Sequence, residues 1–370
     1  MKITVSSSAF CEQLQIASRV LQKKTPMPIL ECFLIEVKDN EMRITASNSS
    51  DSLITHVQLI ELQGEGCLCI NAEKLLSTIK EIPEQPLLLE YNENTFELKC
   101  KHSCGEFNIV GDDAKVFPKP MPVVEGMKIT SSSKELLSGV ATCYVATDED
   151  EVMPFKKGIY FDIKQDKPLV IVATEGRKLV KKTLQDVKPG IEGGFILPKT
   201  IASILKSVIK KDVTAEIAYD AHRATIGIGN AIIYFRLVET KYPNYNSVIP
   251  TKRPIVVSAD RLALIGALKR VGVFCNKSNN FVKLELKANL VTFTGNDVNN
   301  ATSAEEYVPC EYDGVPFSAG FAYTNFVEIL NIIETDTVCL EFVAPERPCI
   351  VSPKGSNDDL LMLLMPMKID

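Results

Sequence analysis

The chain has 370 residues, 45% of them apolar and 24% charged, with a formal net charge of −6 and no tryptophan. That length allows two to three domains of roughly 100 to 200 residues each. The acidic balance alone argues against a nucleic-acid partner, and no run reaches the roughly 18 to 20 consecutive apolar residues of a membrane span.

The opening residues "MKITVSSSAFCEQLQ" hold no long apolar stretch of a secretory signal, so the expected location is cytoplasmic. A first helix is expected from about Ser8 to Lys24. Phe10, Leu14, Ala17 and Leu21 would form its apolar stripe, and Arg19, Lys23 and Lys24 the opposite face. Next comes "FLIEVKDNEMRITAS", two alternating runs about a polar turn, which reads as a hairpin.

An odd and sparse set of eleven cysteines fits a reducing compartment better than a disulfide scaffold. Neither "CLC" at Cys67 and Cys69 nor "CKHSC" at Cys100, His102 and Cys104 has the gap of a C-x-x-C knuckle. These are read as core cysteines, Cys67 and Cys69 sharing one strand face. No metal and no cofactor is expected.

The pattern then repeats. "MKITVSSSAF", "MKITSSSKEL" and "RPIVVSADRL" place Ile3, Ile129 and Ile255 at intervals of 126, and Phe10, Leu136 and Leu262 at the same intervals. Later in each unit "INAEKLLSTIK" matches "LPKTIASILKSV", with Leu75 to Ile201 and Ile79 to Leu205 again 126 apart. "YTNFVEILNII" supplies a third copy one residue closer, through Phe326 and Leu330. Hairpin-like stretches separate these helices in every copy. The reading is an α+β chain of three tandem domains, at 1–122, 127–250 and 253–370, each a doubled strand-helix-strands motif.

Charge is distributed unevenly over this repeat. The six expected helices sum to +6, leaving −12 for the remainder. Lys199, Lys206, Lys210, Lys211, Lys269 and Arg270 gather on helices with one apolar and one basic face. Such faces suit sequence-independent, salt-sensitive contact with a phosphate backbone; the alternative is an ordinary solvated helix face.

"TPMPIL" after the first helix, "VATEGRKL" at 172–179, "KYPNYNSVIP" at 241–250 and the terminal "LMPMKI", together with the threefold repeat, resemble the bacterial sliding clamp, the beta subunit of the replicative DNA polymerase III. The resemblance covers essentially the whole chain. It implies the DNA-clamp fold and a homodimer closed head to tail, six subdomains around double-stranded DNA with helices inside and sheets outside. The implied function is that of a processivity factor without catalytic activity. The implied partners are the replicative polymerase, the clamp loader and repair polymerases, held through short linear peptides.

Residue by residue, the resemblance places a peptide pocket at Phe155, Thr174, Gly176, Leu179, Pro243, Val248, Phe326, Leu363, Met365, Pro366 and Met367. The apolar ending "LLMLLMPMKID" would be one wall, with alternate residues facing the core. Flexible Met and Leu side chains suit varied ligands. Lys24 stands where the family has a DNA-contacting arginine, and Lys199 lies in the corresponding second-domain stretch. Three departures bear on peptide preference: Gly176-Arg177-Lys178 in place of Gly-His-Arg, Phe155 in place of a rim tyrosine, and the ending Lys368-Ile369-Asp370.

Two rival readings remain open. An enzyme would need catalytic motifs, yet the chain has no G-x-x-x-x-G-K-[ST], H-E-x-x-H or G-x-S-x-G and only three histidines. The carboxylate run Asp148 to Glu151 reads as a solvated loop. The other rival is a clamp-shaped protein scaffold without DNA, since fold does not fix function.

Overall fold

A computed structural model describes residues 1–22, 25–123, 126–209, 211–356 and 359–369. Six helices each follow a strand with no intervening residue: α1 (Ser7–Ala17), α2 (Ala72–Lys80), α3 (Ser133–Tyr144), α4 (Lys199–Val208), α5 (Arg261–Gly272) and α6 (Tyr323–Ile332). Polar residues at the junctions satisfy the free amides of the first turn. Ser6 accepts from the Ala9 amide, Asn71 from Lys74, Ser132 from Glu135 and Asp260 from Ala263.

These caps correct the register of the third copy. Counting four residues on from Ser6, Ser132 and Asp260 gives Phe10, Leu136 and Leu264, all fully buried, whereas Leu262 is 61% exposed. In the third copy α5 therefore starts two residues later than a strict interval of 126 requires. The second set of helices keeps its expected register: Leu75, Ile201 and Phe326 are buried, as are Ile79, Leu205 and Leu330.

The first helix is shorter than its apolar stripe suggests. It ends at Ala17 and tightens into a 3-10 turn over Ser18–Val20. Because residues three apart eclipse in that geometry, Val20 follows Ala17 into the core and Leu21 is left half-buried. Likewise α4 stops at Val208, so Lys211 lies beyond it.

The chain forms two compact units, Met1–Leu136 with Ser203–Leu237, and Leu137–Ala202 with Val238–Asp370. The first holds a five-stranded and an eight-stranded sheet, the second one sheet of twelve strands, and all the pairings are antiparallel. In the first unit α1 packs on the strands Glu41–Ser47 and Ser52–Gln58 and against α2; in the second α5 packs against α6.

One pairing occurs once in each unit. Strand Ser52–Gln58 pairs with Ala231–Arg236 through Ile54 opposite Ile232, and Lys178–Leu184 pairs with Leu360–Leu364 through Leu179 opposite Leu363. The strands Ser52–Gln58 and Lys178–Leu184 start 126 residues apart, so these ladders are copies of one junction.

Candidate functional site

The tail lies in the second ladder. Leu361, Met362, Leu363 and Leu364 are each at most 3% exposed, so the strand is covered on both faces. Leu361 and Leu363 meet Leu179, Val172, Ile350, Tyr242 and Tyr245 on one side. Met362 and Leu364 alternate to the other, with α6 against the strand. Successive side chains thus alternate between the two sides as expected, and none reaches solvent before Met365. A continuous apolar run is the mark of a strand buried on both faces.

Beyond Leu364 the chain opens outward. Met365 is 39% exposed, Pro366 and Met367 are half-buried. Two hydrogen bonds hold this end in place: the Met365 amide donates to the Arg177 carbonyl at 2.8 Å, and the Met367 amide to the Gly320 carbonyl at 2.8 Å. A Cβ on Gly320 would sit 2.8 Å from the Met367 carbonyl oxygen, so the approach needs a glycine there.

Opposite Met365 is the turn Thr174–Lys178. The Thr174 hydroxyl donates to the Lys178 carbonyl at 2.8 Å and accepts from the Gly176 amide at 3.2 Å, while Glu175 accepts from the amides of Arg177 and Lys178. Gly176 has φ +98°, a conformation that strains side-chain-bearing residues. The Lys178 side chain is buried and pairs with Glu328 of α6. Arg177 is left exposed at the rim.

Packed with Leu179 and Leu363 are aromatic rings, of which Tyr160, Tyr242 and Tyr245 are absent from the sequence reading. Tyr242 stacks on Tyr160 at 4.6 Å between centroids and meets the edge of Phe155 at 5.9 Å. The Tyr245 hydroxyl donates to Asp162 at 2.6 Å. Burial pushes the Tyr242 phenol far above its ordinary value, and its hydroxyl makes no hydrogen bond of good geometry. The signal was present: both tyrosines lie in "KYPNYNSVIP", beside Pro243 and Val248. Pro243 is exposed and Val248 46% exposed.

Leu179 and Leu363 are therefore buried core residues, while Phe155 is half-buried and Pro243, Val248 and Met365 are exposed. Phe326 is placed elsewhere. It is fully buried in the core, edge-on to Phe321 at 5.6 Å and to Phe293 at 6.3 Å, because the inward stripe of α6 carries it, and it lines no open surface.

Of the basic residues, Lys199 opens α4, lies 3.5 Å from Glu149 and sits 5.9 Å over the Tyr144 ring. Lys206 is exposed in the last turn of α4, and Lys211 is exposed just after it. Lys269 and Arg270 are exposed in the last turn of α5, where positive charge also favours the helix dipole. Arg270 is committed to a forked pair with Glu306, at 2.5 and 2.6 Å. Lys24 and Lys210 lie outside the described residues.

The acidic run is engaged with lysines, Asp150 with Lys156 at 3.0 Å and Glu151 with Lys157. All eleven cysteines are free of disulfides. Cys69 is buried but Cys67, at the open end of its strand, is exposed, so the pair does not share a buried face. Among the described residues no group of three or more His, Cys, Asp or Glu side chains is placed to hold a metal, and no helix is long and apolar enough to cross a membrane.

Repeated capped helices on antiparallel sheets, joined by copied ladders, define the three-domain clamp fold. Models of the N-terminal, central and C-terminal domains of the DNA polymerase III beta subunit match residues 1–121, 130–244 and 246–368. The chain belongs to that family, the beta sliding clamps, which are non-catalytic processivity factors. It is 24% identical to the beta sliding clamp of Staphylococcus aureus over 377 residues, covering 100% of this chain and 99% of the relative.

Among solved structures, it resembles a Pseudomonas aeruginosa DnaN sliding clamp bound to griselimycin, with a TM-score of 0.95 at 22% identity. The beta subunit from Thermotoga maritima gives a TM-score of 0.91 at 24% identity. Both comparisons cover 100% of each chain.

Proposed function

We propose that two copies of this chain, each of three domains at 1–122, 127–250 and 253–370, close head to tail around duplex DNA in the cytoplasm. The ring holds the DNA without reading its sequence and tethers polymerases and a clamp loader by short apolar peptides. The peptides dock on the surface formed by Phe155, Leu179, Pro243, Val248, Leu363 and Met365.

One observation carries this reading. The two ladders made within the chain follow the repeat, Ser52–Gln58 with Ala231–Arg236 and Lys178–Leu184 with Leu360–Leu364. The same intervals point to a third, between Thr302–Glu311 and Gly105–Val110. Gly105–Val110 ends its sheet, and Thr302–Glu311 lacks a second neighbour except at Cys310 and Glu311. Unpaired edges of this kind are covered in native proteins, and a heterologous contact repeated between two copies closes a ring. Exposed Val110 and Tyr307 on these strands, with Val273 and Phe274 at the end of α5, supply apolar surface for the contact.

Helices at the inside of such a ring bring Lys199, Lys206, Lys211 and Lys269 to the phosphates, where each neutralised charge releases counterions. The test is light scattering on the purified chain, followed by retention on circular and linearised DNA after loading. A dimer retained on the circle and lost from the linear ends is expected. A monomer at micromolar concentration, or equal loss from both DNAs, overturns the reading.

A further inference from the structure

A small cavity of about 110 Å³ lies in the first unit, bounded by the serine-rich turn 47–52, the segment 118–121 and the adjoining ends of the strands Arg223–Ile228 and Ala231–Arg236. Arg223 and Arg236 stand directly opposite each other on those antiparallel strands. Like charges so placed destabilise a sheet. Both line the cavity, together with Lys119. Among the described residues, none of these three side chains forms an ion pair.

Two carboxylates act on the pair: Asp220 accepts from the Arg223 amide at 2.8 Å and attracts its charge, and Asp51 belongs to the turn. Asp51 accepts from the Asn48 side chain at 3.3 Å and from the Arg236 amide at 3.4 Å, and it does not line the cavity. Burial holds it above the ordinary aspartate value, and attraction to Arg236 is the smallest influence on it. Pro118, Pro120, Met121, Tyr234 and Phe235 supply apolar wall, and the serine-rich turn supplies a polar, fixed side. Ser52 donates to Ser47 at 3.0 Å, and Ser47 to the Asp51 carbonyl at 3.0 Å, while exposed Ser49 and Ser50 bring hydroxyls to the rim.

We propose that this cavity binds a tetrahedral oxyanion, either free phosphate or the terminal phosphoryl group of a nucleotide. Two arginines paired across neighbouring strands and lining one cavity can each offer such an anion a planar fork of donors. The anion also removes the repulsion between them. The space admits one group of that size, and the buried ring of Phe235 lines one wall, while Arg236 and Lys119 are exposed and leave the site open to solvent. This site is independent of the ring and of peptide docking.

The experiment uses the full chain at constant ionic strength, with chloride exchanged for inorganic phosphate or for dATP, read by calorimetry and thermal melting. Saturable binding at one site per chain is expected, with a rise in melting temperature. Arg223→Gln and Arg236→Gln should each weaken it about tenfold or more, as expected for loss of a charged hydrogen-bonding group. In chloride alone both variants should melt at or above the parent, because each relieves a like-charge contact. Equal affinity for phosphate and dATP assigns the free ion as ligand, and clearly tighter binding of dATP assigns the nucleotide. The proposal is overturned by absence of saturable binding of either anion, by binding that survives in both variants, or by variants that melt well below the parent in chloride.

Discussion

Leu179 lies directly opposite Leu363, and each is 2% exposed. Because this pair is buried at the centre of a ladder, its truncation harms the fold first, whatever its part in the proposed docking surface. Leu363→Ala should cost about 2 to 5 kcal/mol, the range for buried Leu→Ala. Chemical denaturation would measure it, and a loss under about 1 kcal/mol would contradict the burial of this strand on both faces.

Met365, two residues on, separates peptide binding from stability. It is 39% exposed and tied through its backbone to Arg177, so Met365→Ala should leave the melting temperature near that of the parent. Affinity for a short apolar polymerase-type peptide should fall about tenfold as the peptide's anchor loses cover. Unchanged affinity in the folded variant would remove Met365 from the docking surface.

The free strand edges give a third expectation. Val110 is 72% and Phe274 40% exposed, so charges at these positions cost the isolated chain little. Val110→Glu combined with Phe274→Glu should yield a folded monomer by light scattering at concentrations where the parent is dimeric. A dimer of undiminished strength in the double variant would place the interface elsewhere.

Much of this was legible because one motif is written six times: helix positions and the inward residues Leu75, Ile201 and Phe326 follow from spacing alone. Leu262 shows the limit. A fixed interval cannot register two extra residues, whereas the cap Asp260 does. Leu361 to Leu364 show another, since both faces of that strand are covered and the cover on one comes from Tyr242 and Tyr245, far away in the chain. The pair between Arg270 and Glu306 is not legible in the sequence, because the two are 36 residues apart.

Glu84 offers a check through acid. Hydrogen bonds from Ser8, then Ser6, at the start of α1 hold its carboxylate below the ordinary glutamate value of 4.5. A folded-state value lowered in this way adds stability above the unfolded value, and that stability is lost as pH falls through the folded one. Glu84→Gln should therefore melt below the parent at pH 7, with the gap closing once the pH drops beneath 4.5. A gap that stays constant from pH 7 to about pH 3 would show that the ionised form contributes nothing.

The basic residues are separable by their place in the fold. Lys206 and Lys211 are exposed at and beyond the end of α4, whereas Arg270 lies in the last turn of α5 with both oxygens of Glu306 on its guanidinium. On the ring reading, Lys206→Glu with Lys211→Glu should weaken retention on circular DNA strongly at low salt, and Arg270→Gln only slightly. The logarithmic salt dependence should flatten by about 0.9 for each phosphate contact removed, because fewer counterions are released. Surface charge changes of this kind leave stability within about 0.5 kcal/mol, so a melt beside each retention assay isolates the electrostatic effect. Equal retention of the lysine variant and the parent across salt would show that the end of α4 does not meet DNA.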